Sequence, residues 1–107
     1  MTVNLLPSGI SQPLTGAASA SGNSDTFTPA TGKPFWLRLS GTWAGTAKVR
    51  RSTDGVNFFD LTTGNGTVKA QYTGAVNAAV GVETCEGAQY RLEFTITSGT
   101  VNYEVRQ

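Results

Sequence analysis

The side chains of this chain that could carry chemistry are seven carboxylates and one thiol, and there is no histidine. The acids are Asp25, Asp54, Asp60, Glu83, Glu86, Glu93 and Glu104. Without histidine the chain lacks the commonest general base and the commonest transition-metal ligand. Cys85, the only cysteine, has no histidine to activate it, so we expect a buried small side chain or an ordinary surface thiol. The sequence therefore predicts no enzyme, no metal site and no cofactor.

Two further arrangements could carry chemistry, and the sequence favours neither. Glu93 and Glu104 stand at outward positions of alternating segments, opposite basic or polar residues. Charged partners across neighbouring strands explain that placement better than the acid and base of a glycosidase. A strand pattern follows Gly64-Asn65-Gly66, so this turn lacks the helix N-terminus that phosphate-binding loops use.

Three basic residues, Lys48, Arg50 and Arg51, form the main charged cluster. They could face an acidic partner, or they could be the solvated outer face of a strand that resists edge pairing. The second interpretation is favoured, because two or three charges are too few for salt-dependent binding of the kind seen with nucleic acid. A nucleic-acid partner is not predicted, since phosphate binding needs a concentrated basic face.

Trp36 is the most suggestive aromatic residue. It alternates with the apolar residues Phe35 and Leu37, so its side chain should point away from the core. An outward tryptophan is either covered by another part of the chain or belongs to an interface. A platform for stacking carbohydrate is a third, weaker interpretation.

These residues stand on a succession of short strands with two-residue alternation. The final segment, residues 89–107, alternates on both sides of Ser98-Gly99 and predicts an antiparallel hairpin. Asp54-Gly55 and Gly64-Asn65-Gly66 predict further turns. The other predicted strands are residues 35–40, 46–51, 58–61, 67–72 and 75–84. About seven short strands with little helix indicate an all-β fold, an antiparallel β-sandwich or jelly roll of immunoglobulin-like type.

Composition divides the chain near residue 34. All four prolines lie at or before this point, and residues 1–33 carry only two charged side chains. We therefore predict an extended N-terminal arm, residues 1–33, and a β-sandwich domain, residues 34–107. The small polar residues 15–24 bury too little apolar surface to offset their own ordering. Such an arm either lies along its own domain as an edge strand or reaches a neighbour, with Val3, Leu5 and Ile10 as anchors.

The sequence also bounds where the protein works. The first residues show neither a basic leader followed by an apolar run nor a membrane-spanning stretch, so we expect synthesis in the cytoplasm and no membrane partner. A weakly charged surface rich in threonine and glycine suits packing against other protein. We expect homo-oligomers.

Residues 37–61, LRLSGTWAGTAKVRRSTDGVNFFDL, followed by YRL at 90–92 and TSGTV at 97–101, carry a resemblance to a known family. This pattern resembles small β-sandwich virion proteins of tailed bacteriophages, over residues 35–107. Ser52, Asp54 and Phe59 also resemble the Asp-box hairpin of sialidases, although Gly55 falls one position early. In that hairpin the aspartate stabilises a turn and has no catalytic part.

The phage resemblance implies a structural role in the virion. It points to a decoration (cement) protein that binds between subunits of the major capsid protein. The candidate contacts come from the residues themselves, as argued above: Val3, Leu5, Ile10 and Trp36. A tail, neck or fibre component that recognises glycan or a host surface is the alternative. No catalytic or ligand-binding residue is implied.

Overall fold

The computed structural model describes residues 13–107 of the 107-residue chain. Within this part the fold is all-β without helix, which confirms the predicted class. The strands are β1 (Leu14–Ala18), β2 (Gly22–Asn23), β3 (Pro34–Ser40), β4 (Trp43–Ser52), β5 (Phe59–Asp60), β6 (Gln71–Tyr72), β7 (Val76–Val82), β8 (Gln89–Gly99) and β9 (Val101–Arg106).

Two antiparallel sheets pack face to face. The first has the strand order β1-β9-β3-β7, and the second has the order β2-β8-β4-β5, with β6 also paired to β4. The alternation predicted from the sequence places Phe35, Leu37 and Leu39 inward from β3, and each is 1% exposed. They meet the inward residues of β4 and β8, so one core lies between the sheets. The fully buried side chains of this core include Phe27, Phe35, Leu37, Leu39, Val49, Leu92, Val101 and Val105.

The final two strands do not form the predicted hairpin. β8 belongs to the second sheet and β9 to the first, so the Ser98–Thr100 segment crosses the sandwich. The link between β3 and β4 also crosses from the first sheet to the second, beside the Ser98–Thr100 segment. The two links contact each other, since the Thr100 amide donates to the Thr42 carbonyl at 3.0 Å. The prediction was wrong because alternation fixes which face of a strand is buried, not which strand lies beside it.

Part of the predicted arm lies within the sandwich. β1 pairs with β9 along its full length, and Leu14 is buried in the core. Phe27 is 1% exposed and its ring stacks on Tyr90, with centroids 5.7 Å apart. The boundary predicted between residues 33 and 34 therefore does not coincide with an edge of the folded unit. The composition changes near residue 34 because exposed polar loops separate the short buried segments around Leu14 and Phe27.

Candidate functional site

Trp36 points away from the core, as its position in the alternation of β3 predicts. Its side chain is 47% exposed. On either side it faces Ala79 of β7 and Arg106 of β9 in the register of the first sheet. The register of β3 and β7 shifts by one residue between Phe35 and Trp36, which brings Pro34 opposite Val82. The irregularity thus gathers apolar residues at one end of the outer face.

These four exposed residues, Pro34, Trp36, Ala79 and Val82, form what we call the Trp36 patch. Val82 is 52% exposed. Only Trp36 was predicted from the sequence. The other three residues lie beside it because β3 pairs with β7. The uncharged, mostly apolar run Val76–Val82 was the sequence signal that could have indicated Ala79 and Val82.

Charged residues border the Trp36 patch on the β9 side. Arg106 Nη2 lies 2.8 Å from a Glu104 oxygen, and Arg38 Nε lies 3.6 Å from the other. The hydrogen bond from Arg106 lowers the pKa of Glu104. An apolar centre with a polar border is the usual anatomy of a protein interface. The other predicted contacts, Val3, Leu5 and Ile10, lie outside the described residues.

The two carboxylates considered as a catalytic pair, Glu93 and Glu104, stand on different sheets, each on its outer face. Their predicted interpretation as charged cross-strand partners is confirmed, since Glu104 faces Arg38 and Glu93 faces Lys48. Within residues 13–107, these carboxylates therefore do not face each other across a cleft.

The outer face of the second sheet is covered by charges that pair with one another. Arg50 Nη1 lies 3.2 Å from a Glu93 oxygen, and its Nε lies 3.1 Å from Asp60 Oδ1. Lys48 contacts the same Asp60 oxygen at 3.6 Å, and Arg91 contacts Glu93 at 2.8 Å. Each basic group here has an acidic neighbour. The arrangement favours a charge-balanced outer face over a patch that binds an acidic partner.

A buried ion pair closes one end of the sandwich. Glu83, which follows β7, is 3% exposed, and both its oxygens accept from Arg51 of β4, Oε1 from Nε at 2.6 Å and Oε2 from Nη2 at 2.8 Å. The Tyr90 hydroxyl of β8 donates to the same carboxylate at 2.6 Å, and the Thr84 and Cys85 amides donate at 3.0 and 2.8 Å. We call Arg51, Glu83 and Tyr90 the Glu83 cluster. No local sequence pattern indicates this cluster, because it joins residues from both sheets.

The Glu83 cluster borders a cavity of about 240 Å³ that Phe35, Leu61, Lys69 and Val80 also line. Arg51 lowers the pKa of Glu83 to about 2, and burial raises the pKa of Tyr90 well above its usual range. Neither group titrates near neutral pH, as a general acid or base there would need to. The cluster therefore acts as a structural clamp between the sheets.

Asp54 organises the predicted turn between β4 and β5. Its Oδ1 accepts from the Val56 and Asn57 amides at 2.8 Å each, and Ser52 Oγ donates to the same oxygen at 2.8 Å. These hydrogen bonds hold the pKa of Asp54 well below its ordinary value. The predicted role of Asp54 as a turn-stabilising acceptor is confirmed.

Replacing Asp54 by alanine is expected to lower the melting temperature while the fold is retained. The Val56 and Asn57 amides would lose their acceptor and form hydrogen bonds with water instead. The turn between β4 and β5 would then be less firmly held. Thermal unfolding followed by circular dichroism measures this, with Asp25→Ala as the matched control, since no hydrogen bond is found for that carboxylate among residues 13–107. Equal melting temperatures for the two variants would contradict the role given to Asp54.

Three remaining features concern Cys85, metal binding and membrane-spanning helices. Cys85 is exposed, which leaves the surface thiol of the two interpretations. In the described residues no group of three or more acids and cysteines is arranged to hold a metal ion. Residues 13–107 contain no helix long and apolar enough to cross a membrane.

Comparisons of the chain with protein-family models, with curated proteins and with solved structures gave no significant match.

Proposed function

We propose that this chain is a structural protein of a tailed-bacteriophage virion. Its role is that of a decoration protein, made in the host cytoplasm, that binds between subunits of the major capsid protein and stabilises the head. The proposal starts from the resemblance of residues 35–107 to small virion proteins. The structural observation that carries it is the Trp36 patch, an exposed apolar surface on a protein whose outer charges are largely paired.

Charge pairing determines the kind of contact that the surface offers. Arg38, Arg50 and Arg106 all have acidic neighbours within 3.6 Å, so few unpaired charges remain to attract a partner. The contact with the capsid is therefore mostly apolar, through the Trp36 patch and the N-terminal residues Val3, Leu5 and Ile10. Apolar contacts persist when salt screens charges, so attachment should tolerate high ionic strength.

Stabilisation of a shell follows from mass action. A protein that binds only the assembled shell shifts the breakdown equilibrium toward the intact form. Because each shell offers many equivalent positions, weak contacts act together and hold better than any one alone. A small β-sandwich suffices for this task.

Removing residues 1–12 is expected to abolish attachment to mature shells and leave the β-sandwich folded. The deletion ends before β1, since a longer one would remove Leu14 from the core and unfold the first sheet. Pelleting shells with the full chain and with the truncated chain, at low and high salt, measures the attachment. Circular dichroism checks that the truncated chain is folded.

Two point variants test the Trp36 patch separately. Trp36→Ser is expected to weaken pelleting, whereas Val56→Ser, which removes an exposed valine from the turn of the other sheet, should not. Undiminished pelleting of the truncated chain would contradict the proposal, as would loss of pelleting at high salt. Binding to isolated tails or to glycans instead of shells would favour the alternative of a fibre or tail component.

A further inference from the structure

β7 is an edge strand without the usual protection against pairing. In the described residues it pairs with β3 on one side only. Its seven residues, VNAAVGV, include no charged residue and no proline. Natural sheets normally shield long edges with charges, prolines or bulges that turn the edge away, because an open edge recruits another strand. Since the bulge here stands near one end, most of β7 remains able to accept a strand.

The Trp36 patch lies immediately beside this edge. Ala79 and Val82 belong to β7 itself, and Trp36 and Pro34 stand on the neighbouring strand β3. Every second side chain of a strand added to β7 would lie on the outer face of the first sheet, next to Val82 and near Trp36. The edge offers main-chain hydrogen bonds and the patch offers an apolar surface, which is the combination that strand addition uses.

The chain itself supplies an occupant of matching chemistry. Residues 1–12 carry no charged side chain, and Thr2–Leu6 place Val3 and Leu5 at alternate positions. Twelve residues extend over about 40 Å. This reach exceeds the longest dimension of the described part, 37 Å, so the segment is long enough to leave its own subunit.

Strand direction favours a second copy over the same copy. The chain enters β1 at Leu14, in the row of Val105, Leu37 and Ala78, from the end of the sheet toward which β7 runs. If residues 1–12 folded back along β7 of their own copy, they would run parallel to it. The named strands pair only in antiparallel fashion, and antiparallel pairing is the more stable. A neighbouring copy can present β7 in the antiparallel direction.

We propose that the alternating stretch Thr2–Leu6, within residues 1–12 of one copy, adds as an antiparallel strand to the β7 edge of a second copy, beside its Trp36 patch. This inference rests on the proposed function and deepens it by naming a second copy of the chain as a partner of the N-terminal residues. Donation from each copy to the next is a head-to-tail contact, which closes into a ring or continues as a chain.

Sedimentation velocity of the isolated protein tests the proposal without shells. The full chain should self-associate, and deletion of residues 1–12 should give monomers. Ala79→Lys, which places a charge at the edge beside Trp36, should weaken self-association by about tenfold or more. Ala17→Lys is the matched control, since Ala17 is exposed on β1 at the opposite edge of the same sheet, and it should behave as the unmodified chain.

A synthetic peptide of residues 1–12 gives a second measurement. It should bind the truncated chain and shift the emission of Trp36 to shorter wavelength, and Trp36→Phe should remove that shift. A monomeric full chain would overturn the proposal, even if the peptide bound, because the segment would then occupy its own copy. Equal self-association of Ala79→Lys and Ala17→Lys would overturn it as well. If the sedimentation and peptide experiments contradict this inference, the pelleting of shells still tests the proposed function independently.

Discussion

Replacing Glu83 by glutamine is expected to lower the free energy of unfolding by about 3 kcal/mol, near the lower end for breaking a buried ion pair. Glutamine fills the same space, so packing is kept, but the Arg51 guanidinium loses its charged partner. Arg51 is 33% exposed, and water compensates part of this loss. The Tyr90 hydroxyl and the Cys85 amide also lose a charged acceptor.

Chemical denaturation at neutral pH measures the effect, with Glu86→Gln as the control at an exposed position three residues along the chain. Glu86→Gln should leave the midpoint unchanged. A second variant, Arg51→Met combined with Glu83→Gln, removes both partners and should recover part of the loss, because no uncompensated charge remains. If Glu83→Gln were as stable as the unmodified protein, the Glu83 cluster would not hold the sheets together.

The same cluster predicts a dependence of stability on pH. The hydrogen bond from Arg51 is the main reason that the pKa of Glu83 falls from 4.5 to about 2. A carboxylate with a lowered folded-state pKa stabilises the fold fully above its unfolded pKa, and loses that contribution as the pH falls toward the folded value. The difference in stability between the unmodified protein and Glu83→Gln should therefore shrink between about pH 4.5 and 2. A difference that is constant over this range would contradict the assignment.

Local features of the fold were predictable from the sequence. The alternation around Leu37 and Leu92 identified the buried face of β3 and β8, since burial on one face of a strand leaves a two-residue period. The turn at Asp54 was predictable for a similar reason, because its hydrogen-bond partners lie within three residues of it.

Features that depend on distant partners were not predictable. Arg51, Glu83 and Tyr90 meet because β4 and β8 of one sheet face the end of β7 in the other, and no local pattern records that meeting. The Trp36 patch was only partly predictable. Alternation turned Trp36 outward, but Val82 joins it through the shifted register of β3 and β7.

The paired crossings between the sheets depend on Gly99, which lies where the alternation of residues 89–107 breaks. Gly99, the last residue of β8, has φ of +78°, a conformation that disfavours every residue with a Cβ. A Cβ there would also overlap the Thr42 carbonyl and the Trp43 backbone of the neighbouring crossing. Because these atoms belong to the main chain, they cannot move aside as the end of a flexible side chain would.

Gly99→Ala is therefore expected to cost about 3 kcal/mol or more, since the strain of positive φ and the overlap add. Two control variants separate these causes. Gly87 has φ of +86° with open space around its Cβ position, so Gly87→Ala should cost only about 1 kcal/mol. Gly74 has neither a positive φ nor a close neighbour, so Gly74→Ala should change stability by less than about 0.5 kcal/mol. Denaturant midpoints of the three variants measure the series. An equal cost for Gly99→Ala and Gly87→Ala would mean that the two crossings do not pack against each other.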